Sequence, residues 1–172
     1  MEKKMIKQMM MALLLAMMPF AASAQETHVV QEQVDSLLSP SIVVNRHFYV
    51  KDLNGKLWTE QSLKGHKVVI NVWYSGCGPC LREMPILSEW KNKYPNVIFL
   101  SVNFEKADKV RKITEARGFN WTHLYGDNYF VKFVGSGGFP LFIVLGEDGL
   151  IRYMVNGTNE KIRQDILNVI NK

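Results

Sequence analysis

Cysteine is scarce: the 172-residue chain has two, Cys77 and Cys80, three positions apart. That count argues against a disulfide scaffold, because a loop so short hardly constrains the unfolded chain. It also argues against a tetrahedral zinc site. Zinc needs two more Cys or His ligands, and His28, His47, His66 and His123 stand apart, with no paired ligand spacing. No obvious third ligand for copper accompanies the pair. Charge of one sign is in little excess: the formal net charge is +5, and the +3 outside residues 1–24 is spread along the chain, which is not a nucleic-acid footprint. Internal repeats and low-complexity segments are absent. The apolar run Met9–Met18 is too short to span a bilayer comfortably.

That run belongs to an export signal. Lys3, Lys4 and Lys7 precede it, and Ala22-Ser23-Ala24 follows as a small-x-small cleavage pattern. Residues 1–24 are read as a signal peptide, with a mature N-terminus at Gln25 and a periplasmic or secreted destination. An uncleaved membrane anchor is the alternative. No cysteine near the cleavage site suggests lipid modification. The remaining 148 residues make one domain with a real core, read as a polar leader over 25–41 and a domain over 42–172.

Within that domain, β-prone residues from Ile42 to Val50, the turn signal Asp52–Lys56 and then Leu57-Trp58 predict a hairpin. Thr59 is placed to cap a short turn through Leu63. The run Val68–Trp73 reads as a strand buried on both faces, ending at the cysteines. Residues 78–93 carry Leu81, Met84, Leu87 and Trp90 at helical spacing, with Pro85 predicting a kink. A second buried strand follows over Asn96–Val102, then a helix over Glu105–Arg117 ended by Gly118. Trp121–Tyr125 is a short strand and Asn128–Val134 a short helix. Leu141–Leu145 and Leu150–Val155 form an antiparallel hairpin, and Thr158 is the expected cap of a last helix through Ile170. The order β-α-β-α, then β-β-α, predicts an α/β domain with a mixed central sheet covered by helices.

Thiol–disulfide exchange needs a thiolate, and an ordinary cysteine, of pKa about 8.5, is mostly protonated at neutral pH. A cysteine where a strand hands over to a helix meets free backbone N–H groups and the positive end of the helix dipole. Cys77 has that placement, at an expected exposed tip. Cys80, one turn inside, is placed to resolve a mixed disulfide. Gly78 permits a tight turn, and Pro79 suits the first helical turn because its missing N–H would have no helical partner there. Glu83 lies a further turn along and can face the pair. A carboxylate there would raise the thiol pKa values and relay a proton, although a solvated helix glutamate is equally open from the residues themselves.

Val69-Ile70-Asn71-Val72-Trp73, followed by Cys77-Gly78-Pro79-Cys80 and Glu83-Met84-Pro85, resembles the TlpA/ResA-type exported thioredoxins. The resemblance runs from about Ile42 to the C-terminus. It implies a thioredoxin-like fold with an added N-terminal β-hairpin, Cys77 as nucleophile, Cys80 as resolving thiol and Glu83 as the acid beside them. Asn71 stands where cytoplasmic thioredoxins carry a buried acid, which favours Glu83 as its replacement. Pro140 resembles the family's cis-proline. Two residues depart from the pattern: Gly76, where a tryptophan is usual, and the bulky Phe139 before that proline. Phe139 and Trp73 are candidates for an apolar docking wall beside Pro79 and Pro140; a Trp73 serving only the core is the other reading.

Two function classes follow. One is an enzyme reducing disulfides of extracytoplasmic proteins, with cytochrome c maturation implied by the resemblance. It needs no cofactor, but does need an electron donor such as a membrane thiol reductase. The other is a copper-binding or chaperone-like module without turnover. The expected state is a monomer with no nucleic-acid partner and no metal.

Overall fold

The run Val68-Val69-Ile70-Asn71-Val72 is completely or almost completely buried, as expected of β-branched residues in a strand covered on both faces. It forms the centre of a computed structural model that describes residues 48–172. The signal peptide, the leader and residues 42–47 of the expected hairpin lie outside the described residues.

The described chain begins with a two-stranded antiparallel sheet, β1 (Val50–Lys51) and β2 (Leu57–Trp58), paired as Val50↔Trp58. Buried Asp52 builds its turn. Oδ1 accepts from Asn54 N (2.9 Å) and Lys56 N (3.0 Å), and Oδ2 accepts from Trp58 Nε1 (2.9 Å). Gly55 takes φ 84° there, a conformation open to glycine at no steric cost. The main sheet consists of β3 (Lys67–Val72), β4 (Val97–Val102), β5 (Thr122–Leu124), β6 (Leu141–Leu145) and β7 (Ile151–Asn156), in the spatial order β5-β4-β3-β6-β7. β3 runs parallel to β4 and antiparallel to β6, which makes the sheet mixed. β6 is buried at all five positions. The edge strand β7 alternates, exposing Arg152 and Met154.

Three helices flank the sheet: α1 (Gly78–Lys93), α2 (Ala107–Ala116) and α3 (Glu160–Ile170). Their buried residues Met84, Leu87, Trp90, Val110, Ile166 and Ile170 join Val69, Phe99, Phe142 and Val144 in one hydrophobic cluster. The alternate strand residues Val68, Ile70, Val72, Leu100 and Ile143 join a second cluster with Phe48, Val50, Trp58, Leu63 and Phe130. In that second cluster the helical contribution comes from short 3-10 turns, Glu60–Ser62 and Phe130–Phe133, and their flanks.

Helix α1 spans Gly78–Lys93 as expected, with Pro85 inside it. Element boundaries differ from expectation in two instructive places, the starts of α2 and α3. Helix α2 starts at Ala107, since its N-cap Lys106 is extended at ψ 150°. The cap of α3 is Asn159, whose side chain accepts from Ile162 N (2.9 Å), while Thr158 Oγ1 is buried without a hydrogen-bond partner. Both are capping residue types, and one residue of register decides between them. Among the described residues no helix is long and apolar enough to cross a membrane.

Candidate active site

β3 ends at Val72, and Trp73 N still bonds Val102 O (3.0 Å) across to β4. The chain then turns within four residues: Cys77 N donates to Tyr74 O (3.0 Å), with Ser75 and Gly76 at the corner. That turn delivers Cys77 to the N-cap of α1, with Pro79 in its first turn. Cys77 and Cys80 are joined as a disulfide, their Cα atoms 5.3 Å apart, and Cys80 N donates to Cys77 Sγ at 3.2 Å. The contrast expected between an exposed Cys77 and a sheltered Cys80 is slight: the residues are 4% and 2% accessible. The two sulfurs differ instead in backbone environment, because Cys77 Sγ takes the N–H that a capping oxygen would take.

β6 pairs Leu141 with Val72, so the residues preceding Leu141 lie beside the segment leading to Cys77. There the Phe139–Pro140 peptide bond is cis. Asn156, at the end of β7, holds this loop by donating from Nδ2 to Gly138 O (2.7 Å) and Val134 O (3.1 Å). A Cβ on Gly137 would lie 2.4 Å from that side chain. Sequence reasoning did not single out Asn156; nothing marks it locally, since the bonds reach back to positions 134 and 138.

Phe139 is half-buried, and its ring stands 4.9 Å from that of Tyr74, with exposed Phe104 at 6.2 Å from both. An ideal Cβ at Gly76 would meet Tyr74 Cε2 at 2.7 Å, so the tyrosine ring fills the space into which a residue-76 side chain would project. Trp73 is not part of this wall. It is fully buried, its indole N–H bonded to Ser101 Oγ (2.7 Å), which makes it a core residue and corrects its reading as a docking candidate. Pro79 is exposed and Pro140 buried.

Glu83 is 7% accessible, which removes the reading as a solvated glutamate. Arg163 of α3 donates from Nη1 to Glu83 Oε1 (2.8 Å), and Oε2 is buried without a hydrogen-bond partner. Helix α3 therefore places a cation beside the acid expected to face the dithiol, a residue that the sequence did not reveal.

Surface clefts of about 700 Å³, near Lys67, Glu147 and Arg152, and about 490 Å³, near Asp52, Arg111 and His123, lie away from the disulfide, and neither is lined by a dithiol residue. Beside the pair stand the rings of Tyr74, Phe104 and Phe139. Among the described residues no three His, Cys, Asp or Glu side chains gather to hold a metal ion.

Known proteins are similar to this chain. The Redoxin family model matches residues 34–170. A thioredoxin-like protein of Bacillus subtilis, YneN, is 31% identical over 124 residues, covering 66% of this chain and 70% of that protein. The thiol-disulfide oxidoreductase ResA of Bacillus thuringiensis is 29% identical over 126 residues, covering 67% and 69%. Among solved structures, a secreted disulfide oxidoreductase of Mycobacterium tuberculosis homologous to E. coli DsbE superposes with a TM-score of 0.60 at 21% identity, covering 73% of this chain and 96% of that one. With a strand-to-helix dithiol on a mixed five-stranded sheet, the chain belongs to the Redoxin family and is a thiol-disulfide oxidoreductase of the thioredoxin-like, TlpA/ResA type.

Proposed function

We propose that the protein is exported and reduces disulfides of extracytoplasmic proteins, with Cys77 as the attacking thiol and Cys80 as the resolving one. The observation that carries this reading is the capping position of Cys77 Sγ, which accepts the Cys80 N–H at the start of α1. A thiolate there is stabilised by the helix end, and thiolates are the reactive form.

In the reduced protein, Cys77 S⁻ attacks one sulfur of a substrate disulfide. A mixed disulfide forms, and the other substrate sulfur leaves as a thiolate that takes up a proton. Cys80, deprotonated, then attacks Cys77 Sγ and displaces the second substrate thiol. Two electrons have passed to the substrate, and the Cys77–Cys80 disulfide remains. Glu83, one turn from Cys80, is the proton acceptor and donor for that second step. A dithiol donor, expected to be a membrane thiol reductase, restores the reduced pair.

The direction is supported by the Gly78-Pro79 dipeptide, shared with reducing thioredoxins of potential near −270 mV, against about −120 mV for a strong periplasmic oxidant. Export is supported by the three-part signal at residues 1–24 and by the secreted relative. Cytochrome c maturation, which needs reduced haem-attachment cysteines, is the extracytoplasmic process that the TlpA/ResA likeness suggests. The working unit is a monomer.

The rim at Phe139 and Pro140, with Pro79 exposed nearby, is the docking edge, where an extended substrate pairs with backbone beside the dithiol. Pro140→Ala should slow insulin disulfide reduction by about tenfold, worth about 1.4 kcal/mol, while a small aromatic disulfide loses about twofold or less. Equal losses with both substrates would remove the docking role. Failure of the wild-type protein to reduce insulin with a supplied dithiol would remove the enzymatic direction itself.

A further inference from the structure

The corner that carries Cys77 is gripped by a carboxylate from the loop between β4 and α2. Ser75 N donates to Glu105 Oε2 and Ser75 Oγ to Glu105 Oε1, each at 2.7 Å. The grip is itself anchored. Glu105 N donates to Asn103 Oδ1 (2.6 Å), and Asn103 Nδ2 donates to Glu105 Oε2 (3.3 Å). Asn103 is wholly buried, with its N–H on Leu124 O (3.0 Å) and its carbonyl accepting from Asp127 N (3.1 Å). Lys109, one turn into α2, donates to Glu105 Oε1 at 2.6 Å from a largely exposed position. Burial pushes the Glu105 carboxyl up. The hydrogen bonds from Lys109, Ser75 and Asn103 outweigh this and hold its pKa at about 2, so the acceptor stays charged wherever the protein works.

We infer that Glu105 is a positioning residue for Cys77, holding the Tyr74–Cys77 corner at the helix start when the disulfide is open. In the oxidised form the Cys77–Cys80 bond tethers the same corner. In the reduced form that tether is gone, and the Ser75–Glu105 bonds remain, with the Cys77 N–Tyr74 O bond, to keep Cys77 Sγ against the N–H groups of α1. The grip therefore stabilises the reduced state more than the oxidised one. A charge effect would have the opposite sign, because a fixed carboxylate near a thiolate disfavours it. The sign of the change in redox equilibrium separates position from charge, and a residue that only holds the fold together would change neither.

The inference rests on Cys77 and Cys80 being the exchanging couple. The test is the equilibrium P-S₂ + 2 RSH ⇌ P-(SH)₂ + RSSR in glutathione or dithiothreitol buffers, for the wild type and for Glu105→Ala, with melting curves of both redox forms. For Glu105→Ala the constant for reduction should fall about tenfold, a shift of about 30 mV to more negative potential, and the reduced form should lose more thermal stability than the oxidised form. Glu105→Gln, which keeps one acceptor and no charge, should move in the same direction by less. If Glu105→Ala does not fold, Ser75→Ala keeps the charge, removes one donor, and should shift the constant about threefold the same way. An unchanged constant with equal losses in both forms would overturn the inference, as would a shift of the opposite sign. A wild-type pair that does not equilibrate at all would overturn the exchange reading instead.

Discussion

Cys80→Ser should accumulate a mixed disulfide with protein substrates through Cys77, whereas Cys77→Ser should trap almost nothing and lose at least about a thousandfold in exchange rate. The asymmetry cannot come from exposure, since both residues are nearly inaccessible in the oxidised form, at 4% and 2%. It comes from the helix start. Cys77 Sγ receives the Cys80 N–H at 3.2 Å, and a developing thiolate at that position keeps the donor, whereas Cys80 lies inside the first turn. Serine preserves size and removes the nucleophile, so the trapped species can be counted by intact-mass measurement after acid quenching. Trapping by Cys77→Ser, or by both variants equally, would reverse or dissolve the assignment.

Arg163→Met should cost roughly 2 kcal/mol of stability, because it strands a buried carboxylate of which one oxygen already lacks a partner. For a domain of this size that is a drop of about 4–8 °C in Tm. The effect on reactivity is more specific. In the wild type the Glu83 charge is neutralised at 2.8 Å by Arg163. Removing the cation leaves a net negative charge one turn from Cys80 and should move the pH profile of thiol alkylation upward. Glu83→Gln leaves the cation and should move it downward. The double variant should return towards the wild-type midpoint, because the two opposite shifts add. Alkylation rates of the reduced proteins against pH check this: shifts in the same direction for both single variants would contradict the pairing argument.

These two predictions mark where the sequence was readable and where it was not. The dithiol was legible because a β-branched run, a glycine turn and a proline in the first helical turn encode a strand-to-helix handover within about a dozen neighbouring residues, each by a local rule. Asp52 and the turn at Gly55 follow from the same kind of short-range chemistry. Arg163 was not legible, because it meets Glu83 from 80 positions away and nothing in either helix announces the other. Glu105 was read as the first residue of a helix by its pattern. Its partner Ser75 lies 30 positions earlier, and only the parallel pairing of β3 with β4 brings them together. Trp73 shows a different limit: an apolar aromatic next to a site can line it or support it, and the Ser101 hydroxyl that settles the matter belongs to the neighbouring strand.

Cys77 and Cys80 are proposed to form a reversible couple that reduces other disulfides. The reduction potential of the wild-type protein, measured in thiol–disulfide buffers with the redox state read by alkylation and mass, tests it directly. A single two-electron transition near the −270 mV of reducing thioredoxins, and in any case below about −220 mV, is the predicted result. A couple as oxidising as about −120 mV, or a pair that neither opens nor closes by exchange, would contradict it.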